Sequence, residues 1–149
     1  RLPLSTVHAW DVSPEALEVA RCNAIRNGVT VHFQQVDALQ ESWPSLNIDV
    51  LVSNPPYITE KERTDMERNV LDWEPELALF VPDNDPLLFY RHIARIGLDL
   101  LSPSGTLYYE INRAYGAETV SLLQQLGYHS VELRKDLSGN DRMVKAVKP

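Results

Sequence analysis

Apolar positions recur along the chain at two spacings, and the alternation between them sets out its elements. Val7 to Asp11 reads as a short strand. Ser13 is a good helix cap, Pro14 fits the first turn, and Asn27-Gly28 closes the helix. Between these ends Ala16, Leu17, Ala20, Ala24 and Ile25 form an apolar face, with Cys22 as a small core residue. Val29 to Val36 reads as a second strand, and Ile48 to Ser53 has the continuous apolar look of a strand buried on both faces. Thr59 and Glu62 have the spacing of a capping box, which predicts a polar helix of about three turns. Residues 72–85 lack periodicity and read as a loop. Asp85-Pro86 starts a helix carrying Leu87, Leu88, Phe89, Ile93, Ile96, Leu100 and Leu101. Pro103-Ser104-Gly105 turns into a strand, Thr106 to Ile111, and a helix from about Ala114 to Leu126 ends at Gly127. Tyr128 to Arg134 and Met143 to Val147 close the chain as a hairpin around a Ser138–Asp141 turn. Helices alternating with strands imply an α/β layered domain with a mostly parallel sheet and an antiparallel C-terminal strand.

Composition narrows the class. At 149 residues the chain suits one domain, and no apolar run reaches the ~20 residues that span a bilayer. The lone Cys22 excludes an internal disulfide, and His8, His32, His92 and His129 show no metal-ligand spacing, so no metal is expected. These features predict a cytoplasmic protein. The net charge of −7, with 14 basic residues scattered along the chain, argues against a nucleic-acid partner. The first residue is Arg1 rather than Met, which suggests a processed or truncated product.

The sharpest chemical feature is Asn54-Pro55-Pro56-Tyr57, directly after the apolar strand 48–53. Ligands of open α/β sheets bind at the carboxyl ends of strands. An amide or ring-attached amine nitrogen is a poor nucleophile because its lone pair is delocalised. The side-chain oxygen of Asn54 and the main-chain oxygen of Pro55 offer two acceptors in restricted geometry for its N–H hydrogens. Tyr57 offers a flat face for a planar group. The plainer alternative is a tight turn of the kind Asn-Pro favours. Asp11, at a strand end, could accept bonds from both ribose hydroxyls of a nucleotide-like cofactor or simply assist the helix cap. Asp37 could pair with an adenine amino group or be a solvated turn residue. Trp10 and Trp43 read as packing residues. The six glycines are never closer together than Gly97 and Gly105, so the chain contains no glycine-rich cofactor loop.

With Asp11, Asp37 and Asn54–Tyr57 in this order and spacing, the chain resembles class I S-adenosylmethionine-dependent methyltransferases. Residues 11–18 (DVSPEALE), 73–79 (WEPELAL), 87–92 (LLFYRH) and 136–142 (DLSGNDR) make it similar to the release-factor glutamine methyltransferases, the HemK/PrmC group. The resemblance covers essentially all residues and implies a Rossmann-like fold with sheet order 3-2-1-4-5-7-6. It implies methyl transfer from S-adenosylmethionine to the glutamine amide of the Gly-Gly-Gln motif of peptide-chain release factors. Asp11 would then bind the cofactor ribose, Asp37 and Ala38 the adenine, and Asn54 the cofactor side as well as the substrate. Asn54, Pro55, Pro56 and Tyr57 would hold the glutamine amide, and Glu74 with Pro75 would shape the substrate-side loop.

Two departures stand out. The family's Glu-Ile-Gly reads Glu110-Ile111-Asn112 here, which leaves any close backbone approach at Asn112 open. The first, central strand, the glycine-rich loop and the small N-terminal domain should precede residue 1, so residues 1–149 are expected to be a partial catalytic domain. Such a piece should bind cofactor poorly or not at all, and either self-associate through the edges of strands 7–11 or 48–53 or displace its N-terminal segment, residues 1–36. The alternatives are a nucleic-acid amino methyltransferase acting on adenine or guanine, and a non-catalytic interaction module.

Overall fold

The computed structural model describes residues 4–40, 43–66, 73 and 75–149. The chain forms two compact units, residues 1–43 and 44–149.

In the first unit, strand β1 (His8–Asp11) pairs in parallel with β2 (His32–Gln35), joined by helix α1 (Pro14–Arg26). Ser13 caps α1 by accepting the Ala16 N–H at 3.0 Å, and Gly28 takes a positive φ of 61° to leave it. Of the face expected on α1, only Leu17 is buried, and Ala16, Cys22 and Ile25 are exposed. A two-stranded sheet offers a helix only a narrow stripe to pack on, so Cys22 is not a core residue. The second strand is likewise shorter than residues 29–36. Trp10 and Trp43 pack on each other with ring centroids 5.4 Å apart, and His8 stacks on its cross-strand partner His32 at 5.0 Å.

The second unit is built on a four-stranded sheet, ordered β3-β6-β8-β7, from β3 (Ile48–Ser53), β6 (Leu101–Glu110), β7 (His129–Lys135) and β8 (Asp141–Val147). β3 and β6 run parallel, and β8 lies antiparallel between β6 and β7. This order corresponds to 4-5-7-6 of the expected arrangement, and the β2-β1 pair of the first unit to its 3-2. A smaller parallel pair joins β4 (Ile58–Thr59) to β5 (Phe80–Val81).

The core forms where helix α3 (Leu88–Leu100) lies over β6. Tyr90, Ile93, Ala94, Gly97 and Leu100, at helical spacing, are buried together with Leu107, Tyr109, Val144 and Ala146. Burying each large apolar side chain contributes roughly 1.5–3 kcal/mol. Three phenols enter this core, and each is hydrogen-bonded, as buried polar groups generally are: the Tyr90 hydroxyl accepts the Asn112 N–H at 3.2 Å. The Tyr109 hydroxyl donates to the Tyr90 carbonyl at 3.0 Å, and the Tyr128 hydroxyl to the Ala94 carbonyl at 2.7 Å. Helix α4 (Gly116–Gln125), entered through a 3-10 turn at Arg113–Tyr115, packs against β7 and β8.

Several expectations change. Val50 and Val52 of β3 are 53% and 71% exposed, so in this unit the strand is covered on one face only. The Pro103–Gly105 turn lies within β6 as a bulge: Ile48 pairs with Leu101 but Val50 with Thr106, and Ser104 takes a φ of 64°. A Cβ on Gly105 would stand 2.8 Å from the Ser102 carbonyl oxygen, so glycine is required there. The polar helix after Thr59 is a 3-10 turn, Glu60–Asp65, and residues 67–72 lie outside the described residues. The segment read as a loop contains one helical turn, α2 (Glu76–Leu79), followed by β5, because Phe80-Val81 finds a partner in β4. Asp85 does not cap the next helix, which begins at Leu88. Its carboxylate instead forms a two-point ion pair with Arg91, 2.8 Å at each contact.

Candidate active site

Asn54 to Tyr57 leave the carboxyl end of β3, and the buried ring of Pro55 anchors the segment. Asn54 is exposed. Among the described residues neither its side chain nor the Pro55 carbonyl takes part in a hydrogen bond, so both oxygens are open acceptors.

Tyr57 is half-buried and held at both ends. Its hydroxyl donates to Glu110 Oε1 at 3.0 Å, and Asn112 Nδ2 donates to its main-chain oxygen at 3.0 Å. Burial first, and then the bond to Glu110 and that residue's negative charge, push the phenol above its ordinary value, while Arg142 pulls weakly the other way. Tyr57 is therefore a neutral ring at physiological pH.

The C-terminal hairpin reaches the same place. Asp136 accepts the Ser138 and Asn140 N–H groups at 2.9 Å, which folds the DLSGNDR segment into a tight turn with Gly139 at φ 84°. The turn sets Arg142 between Asp136 (3.6 Å) and Glu110 (3.9 Å), with Nη1 3.5 Å from the Tyr57 hydroxyl.

Asn112, 4% exposed, departs from the Glu-Ile-Gly pattern and needs no glycine, since its φ is −64°. Its Nδ2 donates to both oxygens of Glu62 at 3.0–3.1 Å, and its Oδ1 accepts the Ala114 N–H at 2.9 Å. Glu62 in turn accepts the N–H and the hydroxyl of Thr59, at 2.9 and 2.8 Å. The Thr59–Glu62 spacing was legible in the sequence. The bonds from Glu110, Asn112 and Arg142 to Tyr57 join residues more than 50 positions apart and had no local signal.

In the first unit Asp11 and Asp37 lie at the carboxyl ends of the adjacent strands β1 and β2, both exposed. Asp11 Oδ1 accepts the Ser13 N–H at 2.8 Å, and no described residue donates to Oδ2. Asp37 Oδ1 accepts the Leu39 N–H at 2.8 Å, with the half-buried Ala38 between them. Both carboxylates thus serve a turn and keep acceptor capacity. Glu74 lies outside the described residues; Pro75 precedes α2 and is exposed. Among the described residues no group of three or more potential metal ligands occurs, and no helix is long and apolar enough to cross a membrane.

The family profile described as methyltransferase small domain matches residues 1–72. A release factor glutamine methyltransferase of Bacteroides thetaiotaomicron is 50% identical over 146 residues, 97% of this chain and 52% of the relative. One of Flavobacterium psychrophilum is 46% identical over 144 residues, again 97% of this chain and 50% of the relative. The chain therefore spans about half the length of these curated relatives. Among solved structures, a methyltransferase from Pyrococcus furiosus superposes with a TM-score of 0.68 at 19% identity, covering 96% of this chain and 62% of that one. An S-adenosylmethionine-dependent O-methyltransferase from Thermotoga maritima gives 0.65 at 15% identity, covering 97% and 50%. The chain has the Rossmann-like fold of the S-adenosylmethionine-dependent methyltransferases, and along nearly all its length it is similar in sequence to the release factor glutamine methyltransferases.

Proposed function

We propose that residues 1–149 are part of the catalytic domain of an S-adenosylmethionine-dependent methyltransferase acting on the side-chain amide of a glutamine in a peptide-chain release factor. The observation that carries this is the pair of open acceptors, Asn54 Oδ1 and the Pro55 carbonyl, on a loop fixed by a buried proline and a doubly held tyrosine.

Asn54 and Pro55 accept the two N–H hydrogens of the substrate amide, and the neutral Tyr57 ring packs against its plane. Held so, the amide nitrogen presents its lone pair in one direction, and positioning of this kind recovers roughly 7–11 kcal/mol of a barrier. A glutamate carboxylate would leave both acceptors facing lone pairs, so it is rejected. When bound, the cofactor would supply an electrophilic methyl group on a sulfonium; transfer to the nitrogen breaks the S–CH3 bond, leaves a neutral thioether and releases one amide proton to water. Asp11, with Oδ2 unclaimed, suits a ribose hydroxyl, and Asp37 and Ala38 suit the adenine edge; both carboxylates are exposed acceptors that fit the hydrogen-bond donors of that group. Asn54 is assigned to the cofactor as well as to the substrate, and Pro56, Glu74 and Pro75 to the substrate. The partner is the release factor.

The test is single-turnover transfer in the protein that carries this chain, with Asn54→Ala and parallel cofactor titration. Loss of one hydrogen bond made to the reacting group should lower turnover by about 100-fold or more, with cofactor affinity little changed. A near-parental rate removes Asn54 from the mechanism.

A further inference from the structure

The geometry points to Asn112 as a positioning residue: its side-chain amide clamps the Asn54–Tyr57 loop to the Glu62 carboxylate and so sets where the two open acceptors stand. This rests on the proposed amide transfer. Among the described residues, Asn112 is the one side chain that binds both the loop and its neighbouring turn. Nδ2 donates to the Tyr57 carbonyl on one side and to Glu62 on the other, while Oδ1 caps the Arg113–Tyr115 turn. Its own backbone N–H is also engaged, by the hydroxyl of Tyr90 at 3.2 Å, which ties the clamp to the core through α3. A residue 4% exposed with every polar group engaged has a single orientation. The Tyr57 carbonyl follows Pro55 by two residues, and the intervening Pro56 has its φ fixed by its ring. A shift of Tyr57 is therefore passed back to the Pro55 carbonyl with little slack. Glu110 holds the far end of the same tyrosine, so without Asn112 the ring would remain tethered while the backbone that bears the acceptor would not.

A purely structural role for Asn112 would act through the Glu62 bond and the cap, and the swap Glu62→Gln with Asn112→Asp separates the two roles. In the swap, the introduced glutamine still accepts from Thr59 and donates to the introduced aspartate, which still caps Ala114. Nothing is then left to donate to the Tyr57 carbonyl. Transfer from labelled S-adenosylmethionine to a release factor is measured together with melting temperature and the exchange rates of the Asn54, Tyr57 and Ile58 amides. Asn112→Ala is expected to lose at least about tenfold in kcat, since a displacement near ~1 Å can cost ~100-fold, with KM for the cofactor unchanged. The swap is expected to recover melting temperature while kcat stays low and exchange stays fast. Where the swap is too unstable to assay, Asn112→Ser, which keeps a cap acceptor but is too short to reach Tyr57, is judged by the same readings. Parental turnover in Asn112→Ala, or a swap whose kcat returns with its melting temperature, overturns the inference. If the unsubstituted protein methylates no release factor, the proposed reaction fails, and the clamp is decided by amide exchange alone. Faster exchange in Asn112→Ala upholds it, and unchanged exchange overturns it.

Discussion

Replacing Glu62 with alanine removes the acceptor at the centre of the second unit's polar network. Thr59 and Asn112 are 3% and 4% exposed, so little water reaches the groups that Glu62 serves. Asn112 Nδ2 would retain the Tyr57 carbonyl, but the Thr59 N–H and hydroxyl would lose their acceptor. The hydroxyl can rotate toward another acceptor but the N–H cannot; one buried donor left without a partner costs about 1–3 kcal/mol, and the middle of that range, about 2, is the expected loss. For a unit near ~100 residues, ~4–8 °C per kcal/mol converts this to a melting point lower by roughly 10 °C. The pH dependence provides a second check. Burial raises the Glu62 carboxyl, but the Thr59 N–H and hydroxyl, the Asn112 amide and the charge of Arg113 outweigh it and hold the group below its ordinary 4.5. A folded value below the unfolded one means that the stabilisation is complete above about 4.5 and is lost as pH falls through the depressed folded value. Thermal melts of parent and Glu62→Ala from pH 7 to pH 3 should therefore converge at the acid end. A difference under ~2 °C at pH 7, well below the ~4–8 °C expected per kcal/mol, would refute the reasoning. So would a difference that does not change with pH.

Three further outcomes follow from other parts of the molecule. Asp11→Ala should weaken cofactor binding by about tenfold, the equivalent of ~1.4 kcal/mol for hydrogen bonds to a charged acceptor, in calorimetric titration, with the fold intact by circular dichroism. Gly97→Ala should destabilise by about 1–3 kcal/mol, because its Cβ would meet the Tyr128 hydroxyl at 2.5 Å; combination with Tyr128→Phe should recover much of the loss in urea titration. The outer edge of β3 has no partner strand among the described residues, and Val50 and Val52 are exposed on its uncovered face, so light scattering of the chain alone should show self-association that Val52→Lys suppresses.

Strands and helices whose partners lie close in sequence were the legible ones. Ser13, Pro14 and Gly28 gave both ends of α1, and the apolar positions from Leu87 to Leu101 announced α3, because capping and amphipathic periodicity are local. β5 was not visible: Phe80-Val81 is two residues long and is a strand only because Ile58-Thr59 lies beside it. The bulge in β6 had the right residues, Pro103 to Gly105, but whether such a turn ends a strand or swells it depends on the partner's register. Cys22 and Ile25 sat at positions that looked like core, yet burial depends on how much sheet lies under the helix. At the candidate site, Asn54 to Tyr57 stood out because the chemistry is contiguous. The residues that hold them, Glu110, Asn112 and Arg142, are polar residues in strand ends and turns; the parallel pairing of β6 with β3 brings Glu110 and Asn112 to Tyr57, and the antiparallel return of β8 beside β6 brings Arg142.

The central claim is that the Asn54–Tyr57 loop presents a glutamine amide for methylation. It is tested most directly by incubating the protein that carries this chain with methyl-labelled S-adenosylmethionine and a release factor, then locating the label by peptide mass spectrometry. The account predicts one added methyl on the glutamine of the Gly-Gly-Gln motif, with none when that glutamine is replaced by glutamate and little with Asn54→Ala. Label found on another residue, on added RNA or DNA instead of the release factor, or undiminished in the glutamate substrate would contradict it.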